Sequence, residues 1–307
     1  MFGQMDGALV LDKPAGMTSA ACVGMVRRKL GQRKIGHAGT LDPMATGVLI
    51  LLLGQATKIA GLLLEGGEKI YSGIIRFGLR TDTWDIQGKV LEEAGAEEIR
   101  KVTLEAFSEA LRELVGEQEQ EVPPFSAAKH HGQPLYALAR QGRPTPEKTK
   151  FIRISRAELE WFRLPLARFR VACSSGTYIR SLAHSLGRQF GCGATLMELT
   201  REYSHPFGLD DAVNLKALLD DPALLAGNIR GLREALPGMP VLALEADLCR
   251  RMKHGQALPA GIPPLRPLLE AEQALFLDEQ GAPLALGLKK RQGGQSIWSI
   301  GRGLWNN

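Results

Sequence analysis

One carboxylate in this 307-residue chain stands out by its setting. Asp42 lies in Gly36-His37-Ala38-Gly39-Thr40-Leu41-Asp42-Pro43-Met44-Ala45-Thr46-Gly47, among three glycines and five residues after a histidine. The apolar run Val48-Leu49-Ile50-Leu51-Leu52-Leu53 follows at once and predicts a buried strand. The block reads as a glycine-lined loop entering that strand, with Asp42 at its mouth. Glycines there let a ligand's bulk approach the backbone, and the strand fixes where the carboxylate points. Asp-Pro is also a common helix start, with Asp as cap and Pro at the first helical position. These two residues alone leave both readings open.

The elements around the loop follow from pattern. Residues 7–11 predict a short buried strand, and Thr18 or Ser19 caps a helix whose Val23, Val26 and Leu30 share a face. That helix ends in Arg27, Arg28 and Lys29, with Arg33, Lys34 and His37 beyond, a run that suits either a helix dipole or RNA phosphates. Residues 69–79 predict a strand, 80–85 a polar turn, 85–88 a hairpin tip, and 104–114 an amphipathic helix capped by Thr103. Gly176-Thr177 sits at a strand-to-helix turn, which puts Arg180 in the first turns of helix 177–189. Residues 210–220 and 229–236 read as short helices, and Pro237–Pro240 as a linker before a β-rich segment of about 65 residues, a size marginal for independent folding.

Composition narrows the function classes. With 38 Lys+Arg against 33 Asp+Glu the chain carries a net +5, a mild excess whose distribution says more than its size. Residues 121–150 concentrate Lys129, His130, His131, Arg140, Arg143, Lys148 and Lys150 beside Phe125 and Tyr136, which suits an RNA-gripping excursion or a tolerated surface insertion. Cys22, Cys173, Cys192 and Cys249 form no C-x-x-C pair, so no zinc or redox motif is indicated, and a reducing cytoplasm is expected. The longest apolar run is too short to span a bilayer, so no membrane association is expected.

Five stretches, in order over residues 9–200, resemble the TruB family of tRNA pseudouridine synthases in its bacterial stand-alone form. They are Leu11-Asp12-Lys13-Pro14 with Gly16 and Thr18-Ser19; Gly36 to Gly47; Lys69 and Tyr71 before Gly78 and Arg80-Thr81-Asp82-Thr83; Pro123-Pro124 with Ser126-Ala127, Lys129, Gly132, Leu135-Tyr136 and Ala139-Arg140; and Gly176-Thr177-Tyr178-Ile179-Arg180. Two departures stand out. Leu199-Thr200-Arg201 replaces the family's usual Leu-Arg-Arg, which puts one cationic contact in doubt, and the C-terminal segment resembles a PUA RNA-binding domain more loosely.

The resemblance implies an α+β pseudouridine synthase fold: a central mixed, largely antiparallel sheet flanked by helices and loops, plus a small C-terminal β-rich PUA-like domain. It implies a catalytic domain over 1–236, with the basic insertion at about 121–150, and the PUA-like domain over 241–307. The implied reaction isomerises uridine 55 in the TΨC loop of tRNA after flipping it from the stack, with no cofactor or metal. Asp42 then resembles the catalytic aspartate, as nucleophile or as base on the sugar. Arg180 resembles its partner arginine, and Tyr71 the tyrosine that stacks on the flipped base and serves proton removal at C5. His37 resembles the histidine that fills the vacated stack. Lys13, Asp82, Tyr178, Lys129 and Leu199 complete the expected substrate-binding set, with Asp82 orienting Arg180 or the tyrosine and Lys13 supporting the wall. The expected partner is the tRNA T-arm, without guide RNA, bound by a monomer.

Three other readings compete. One is an RNA chaperone without essential chemistry. Another is the guide-RNA-dependent relative, against which the Gly132-to-Arg140 pattern weighs. The third is a glycosidase, which lacks a second acid beside Asp42.

Overall fold

The computed structural model describes residues 3–65, 67–265 and 272–305. Its centre is an 11-stranded mixed sheet. The main strands are β1 (Gly7–Lys13), β2 (Ile35–Ala38), β3 (Thr46–Leu53), β4 (Lys69–Phe77), β7 (Gly116–Glu121), β8 (Thr149–Arg163), β9 (Leu166–Cys173) and β10 (Ala194–Ser204). Between β4 and β7 lie a short hairpin, β5 (Leu79–Thr81) with β6 (Val90–Glu93), and helix α2 (Leu104–Glu113). Helix α1 (Ser19–Leu30) joins β1 to β2, and α3 (Ile179–Gln189) joins β9 to β10.

The sheet is two antiparallel halves joined by a narrow seam. On one side β1 and β2 pair antiparallel with β3. On the other, β10, β4, β9, β8 and β7 pair antiparallel in that order. The halves meet where β3 runs parallel to β10, at Thr46–Thr200 and Gly47–Arg201. Gly47 has φ +95°, and a Cβ there would lie 2.3 Å from the Arg201 carbonyl oxygen. Gly39 has φ +87°, and a Cβ there would lie 3.3 Å from the Arg201 guanidinium. These two glycines therefore serve approach of strand and arginine to the loop, where the sequence suggested approach of a ligand.

Each face of the sheet has a different cover. Val23, Val26 and Leu30 of α1, Phe107 and Leu111 of α2, and Leu182 and Leu186 of α3 pack with Leu9, Leu51, Ile75 and Phe169 into one core. The helix caps are those the sequence offers: Thr18 accepts from the Ala21 N–H and Thr103 from the Ala106 N–H. On the opposite face Ala8, Val10, Val48, Ile50 and Leu52 are covered by Leu275, Leu277, Leu286 and Leu304. The first three come from a five-stranded sheet built on β11 (Gln273–Leu277), β12 (Pro283–Gln292) and β13 (Gln295–Gly303), and Leu304 directly follows β13. Its other face buries Phe276 and Trp298 against Cys249 and Met252 of the helix Ala246–Lys253. The continuous apolar run 48–53 is thus explained: both faces of β3 are buried.

The stretch before the C-terminal sheet is less helical than expected. Residues 210–220 give a 3₁₀ turn at Leu209–Asp211, a two-residue strand at Val213–Asn214 and only then a helix, Leu215–Asp220. Residues 229–236 begin as the strand Ile229–Arg230, paired with β1, before the helix Leu232–Ala235. Edge pairing with β1 overrides the local helical pattern. The four cysteines are buried and unpaired. Among the described residues no helix is long and apolar enough to cross a membrane.

Candidate active site

Asp42 begins a tight turn, not a helix. The Ala45 N–H donates to the Asp42 carbonyl at 3.1 Å, with Pro43 at the second position, where its fixed φ suits such a turn. Beneath it Lys13 is wholly buried and spends its ammonium on the carbonyls of Met17 (2.7 Å), Pro14 (2.8 Å) and Pro43 (3.2 Å). Lys13 therefore holds the loop from below and has no donor left for a substrate. Ser19 adds a second tie, exchanging hydrogen bonds with the Leu41 backbone. Turn and floor together aim the Asp42 carboxylate, whose side chain keeps 31% of its surface open.

Arg180 meets it from the first turn of α3. Its Nε donates to Asp42 Oδ2 at 2.8 Å and its Nη2 to Oδ1 at 3.0 Å, a two-pronged pairing. The same guanidinium donates to the Thr83 carbonyl at 2.8 Å and the Phe125 carbonyl at 3.0 Å. At 4% side-chain exposure it is anchored on all sides, while Asp42 remains accessible. Asp85 Oδ2 lies 3.7 Å from the same Nε. Burial pushes the Asp85 carboxyl above its ordinary value, against hydrogen bonds from the Thr83 hydroxyl and the Gln87 N–H and the pull of Arg180.

Asp85, and not Asp82, is the acid beside Arg180. Asp82 instead accepts from the Lys89 N–H at 2.8 Å and closes the hairpin tip. Both acids lie in Thr81-Asp82-Thr83-Trp84-Asp85, and spacing alone gave no reason to prefer the second. The signal lay in the turn: Thr81 Oγ1 donates to the Asp85 carbonyl and tucks that residue inward.

Tyr71 is buried on β4, opposite Arg201 in the strand register. Burial raises its hydroxyl pKa, partly offset by the adjoining Arg201 guanidinium, so the ring is uncharged at neutral pH. Arg201 was marked in the sequence only as part of a departure from the family pattern. It is 1% exposed, and it donates to the carbonyls of Val48 (2.7 Å), Gly39 (3.0 Å) and Thr40 (3.4 Å). It therefore clamps the upstream arm of the Asp42 loop to β10. The residue before it, Thr200, pairs its hydroxyl with Thr46 at 2.8 Å across the seam.

The remaining expected residues divide into near and far. His37 sits half-buried on β2, its Nδ1 without a partner; burial and then Arg201 lower its pKa, leaving a neutral flat ring. Tyr178 precedes α3; its backbone exchanges two hydrogen bonds with the Gln120 side chain, and Lys150 lies 5.8 Å over its ring. Leu199 is buried on β10, in the same core cluster as Leu41 and Tyr71. Lys129 is exposed on the hairpin Lys129–His130/Gln133–Pro134 and makes no contact with the pocket floor. That hairpin and the helix Leu135–Arg140 are seated by a small cluster of Val122, Leu135 and Leu138, with Tyr178 packed against it. The basic excursion is thus anchored to the segment that launches Arg180, and its Phe125 carbonyl touches that residue directly.

Lys69, quoted in the sequence pattern without a role, is buried beside Gly39. Burial and the nearby Arg201 lower it to about 8. Lys13, Lys69, Arg180 and Arg201 thus surround the loop with positive charge, against the acids Asp42 and Asp85.

The profile of the TruB family pseudouridylate synthase N-terminal domain matches residues 27–179. Proteins named tRNA pseudouridine synthase B are similar over nearly the whole chain. The one from Oleidesulfovibrio alaskensis is 53% identical over 99% of this chain and 98% of its own length. That of Nitratidesulfovibrio vulgaris is 51% identical over 99% of both, and that of Xanthomonas campestris pv. campestris 39% over 99% and 96%. In fold, a chain from an H/ACA RNP bound to a substrate RNA containing 2′-deoxyuridine superposes with a TM-score of 0.69 at 22% identity, over 98% of this chain and 85% of that one. A chain of a Cbf5–Nop10–Gar1 complex gives the same TM-score over 97% and 85%. With about half its residues shared over nearly the full length of the Oleidesulfovibrio and Nitratidesulfovibrio proteins, the chain belongs to the TruB family of pseudouridylate synthases.

Proposed function

We propose that this protein isomerises uridine 55 in the TΨC loop of tRNA to pseudouridine, with Asp42 as the catalytic group. The carrying observation is the asymmetry of the Asp42–Arg180 pair: the arginine is buried and held by four hydrogen bonds, while 31% of the Asp42 side-chain surface stays open. The relatives' names supply the tRNA substrate class.

The chemistry breaks C1′–N1, turns the base, joins C1′ to C5, moves a proton off C5 and leaves one on N1. Asp42 either attacks C1′ or takes a proton from the sugar, and Arg180 holds its two oxygens in one plane. The flipped base stacks on Tyr71. Because burial keeps Tyr71 neutral, it acts as a relay: its oxygen takes the C5 proton as its own hydroxyl proton leaves to water. His37 stacks where the base had been, and its neutral ring suits that place. The basic excursion over 121–150 grips the loop, and the PUA-like domain over 241–307 adds binding surface beside the catalytic domain over 1–236. The protein works as a cytoplasmic monomer without cofactor or guide RNA. The other reading, a tRNA-folding chaperone, uses the same basic surface.

The test is to incubate the protein with an unmodified tRNA transcript and map pseudouridine by chemical derivatisation. Conversion at position 55 alone is expected. An unchanged uridine 55, or conversion elsewhere only, overturns the reading.

A further inference from the structure

We infer that the stacked pair Trp84–His184 is a positioning device that sets the Arg180 guanidinium by locking helix α3 to the turn that receives it. The rings are 4.2 Å apart and 4° from parallel. Trp84 has φ +63°, the left-handed region, where a bulky residue persists only if its surroundings over-determine it. It stands between Thr83 and Asp85, which contribute the carbonyl at 2.8 Å and the carboxylate at 3.7 Å to Arg180. His184 lies one helical turn after Arg180 and so on the same face of α3. The stack and the guanidinium contacts are thus two rungs between one helix and one turn.

The turn's other hydrogen bonds run within the hairpin or to β10. Leu196 N–H donates to the Trp84 carbonyl at 3.1 Å, and Ile86 N–H to the Leu196 carbonyl at 2.9 Å. They fix the turn to the sheet but not to α3. Burial, with Arg188 and Arg80 nearby, lowers His184 to about 4, so at neutral pH an uncharged imidazole lies on the indole.

The inference rests on Arg180 serving a catalytic Asp42, as proposed above. Single-turnover rates and tRNA Kd are measured for His184→Ala, Trp84→Gly, their double variant and His184→Phe. Glycine adopts φ +63° freely, so Trp84→Gly removes the ring without leaving backbone strain. His184→Ala and Trp84→Gly are each expected to lower the rate about tenfold, the scale of a lost aromatic pair, with Kd moved less than about twofold. The double variant should be no worse than either single, and His184→Phe should recover most of the rate. Single variants at the parental rate, or additive losses, overturn the inference. NMR of the unaltered protein decides independently of any variant: the His184 ring protons should be shielded by the indole and should not titrate between about pH 5 and 8. An unshielded imidazole titrating near its ordinary value of about 6.5 overturns the proposal. Asp42→Asn run in parallel separates the two levels. If it stays active, the catalytic reading fails. If it is inactive while the stack variants are unimpaired, only the positioning role fails.

Discussion

Replacing Arg180 by lysine keeps the charge and discards the geometry, which makes it the most informative change at this site. The guanidinium now makes four hydrogen bonds in diverging directions: two to Asp42 and one each to the Thr83 and Phe125 carbonyls. An ammonium has three donors in a cone and cannot span both carboxylate oxygens as a planar fork does. The shorter-reaching ammonium would also leave at least one buried carbonyl without its donor. A hydrogen bond involving a charged group contributes about 1.5–3 kcal/mol. Losing one to two of those that orient Asp42 converts to a rate loss of about 10- to 10⁴-fold. Stability should fall by about 1–3 kcal/mol, from the carbonyl left unpaired. The assay follows release of label from C5-tritiated uridine in unmodified tRNA, because C5 loses its hydrogen in the isomerisation. With saturating enzyme, the single-turnover rate should fall at least tenfold while the Kd for tRNA changes little. A rate within threefold of the parent would show that charge alone suffices. A loss lying wholly in Kd would make Arg180 an RNA contact and refute its pairing role.

Other changes probe the same floor. Asp85→Asn should lower the rate, since Arg180 loses its second acid, yet it should not destabilise the fold at neutral pH. Burial raises the Asp85 pKa above 3.8, so the folded state favours the protonated form, and that contribution is lost as pH rises through the raised value; urea melts at about pH 4 and 7 should show asparagine relatively better at neutral pH. Lys69→Met should stabilise by up to a few kcal/mol at neutral pH, because the parent must bury a charged amine there. With the folded pKa lowered from 10.5 to about 8, parent stability recovers as pH rises across that window, so the variant's advantage should shrink by about pH 10. An advantage that does not shrink would place the amine in water. His37→Phe should keep most of the activity and His37→Ala should lose about tenfold or more, the scale of one base–aromatic stack. Equal activity of the two would remove the stacking role.

The sequence made the reactive loop legible because its glycines, proline and following apolar run are local signals. Asp42 and Arg180 meet across 138 residues, and Tyr71 lies opposite Arg201, which holds the same loop. Local pattern did not reveal which polar residues turn inward. Arg201, marked only within the Leu199-Thr200-Arg201 departure, is 1% exposed, because two strands must meet at Gly47 and the loop's carbonyls there need a donor. Asp85 was hidden by its neighbour Asp82, since the inward tuck depends on a threonine hydroxyl and on β10, whose Thr195 lies 114 residues beyond Thr81. Lys13, placed in the binding set as a support of the wall, is a strut beneath the loop, its ammonium spent on three carbonyls. The short strands at Val213–Asn214 and Ile229–Arg230 exist only as partners of β1, so nothing within those segments announced them.

The central claim is that one open carboxylate does the chemistry. Its most direct test is single-turnover conversion of unmodified tRNA by Asp42→Asn, scored as pseudouridine at position 55 alongside tRNA binding. The account predicts a rate lower by orders of magnitude with tRNA affinity largely intact. Residual activity within tenfold of the parent would contradict it.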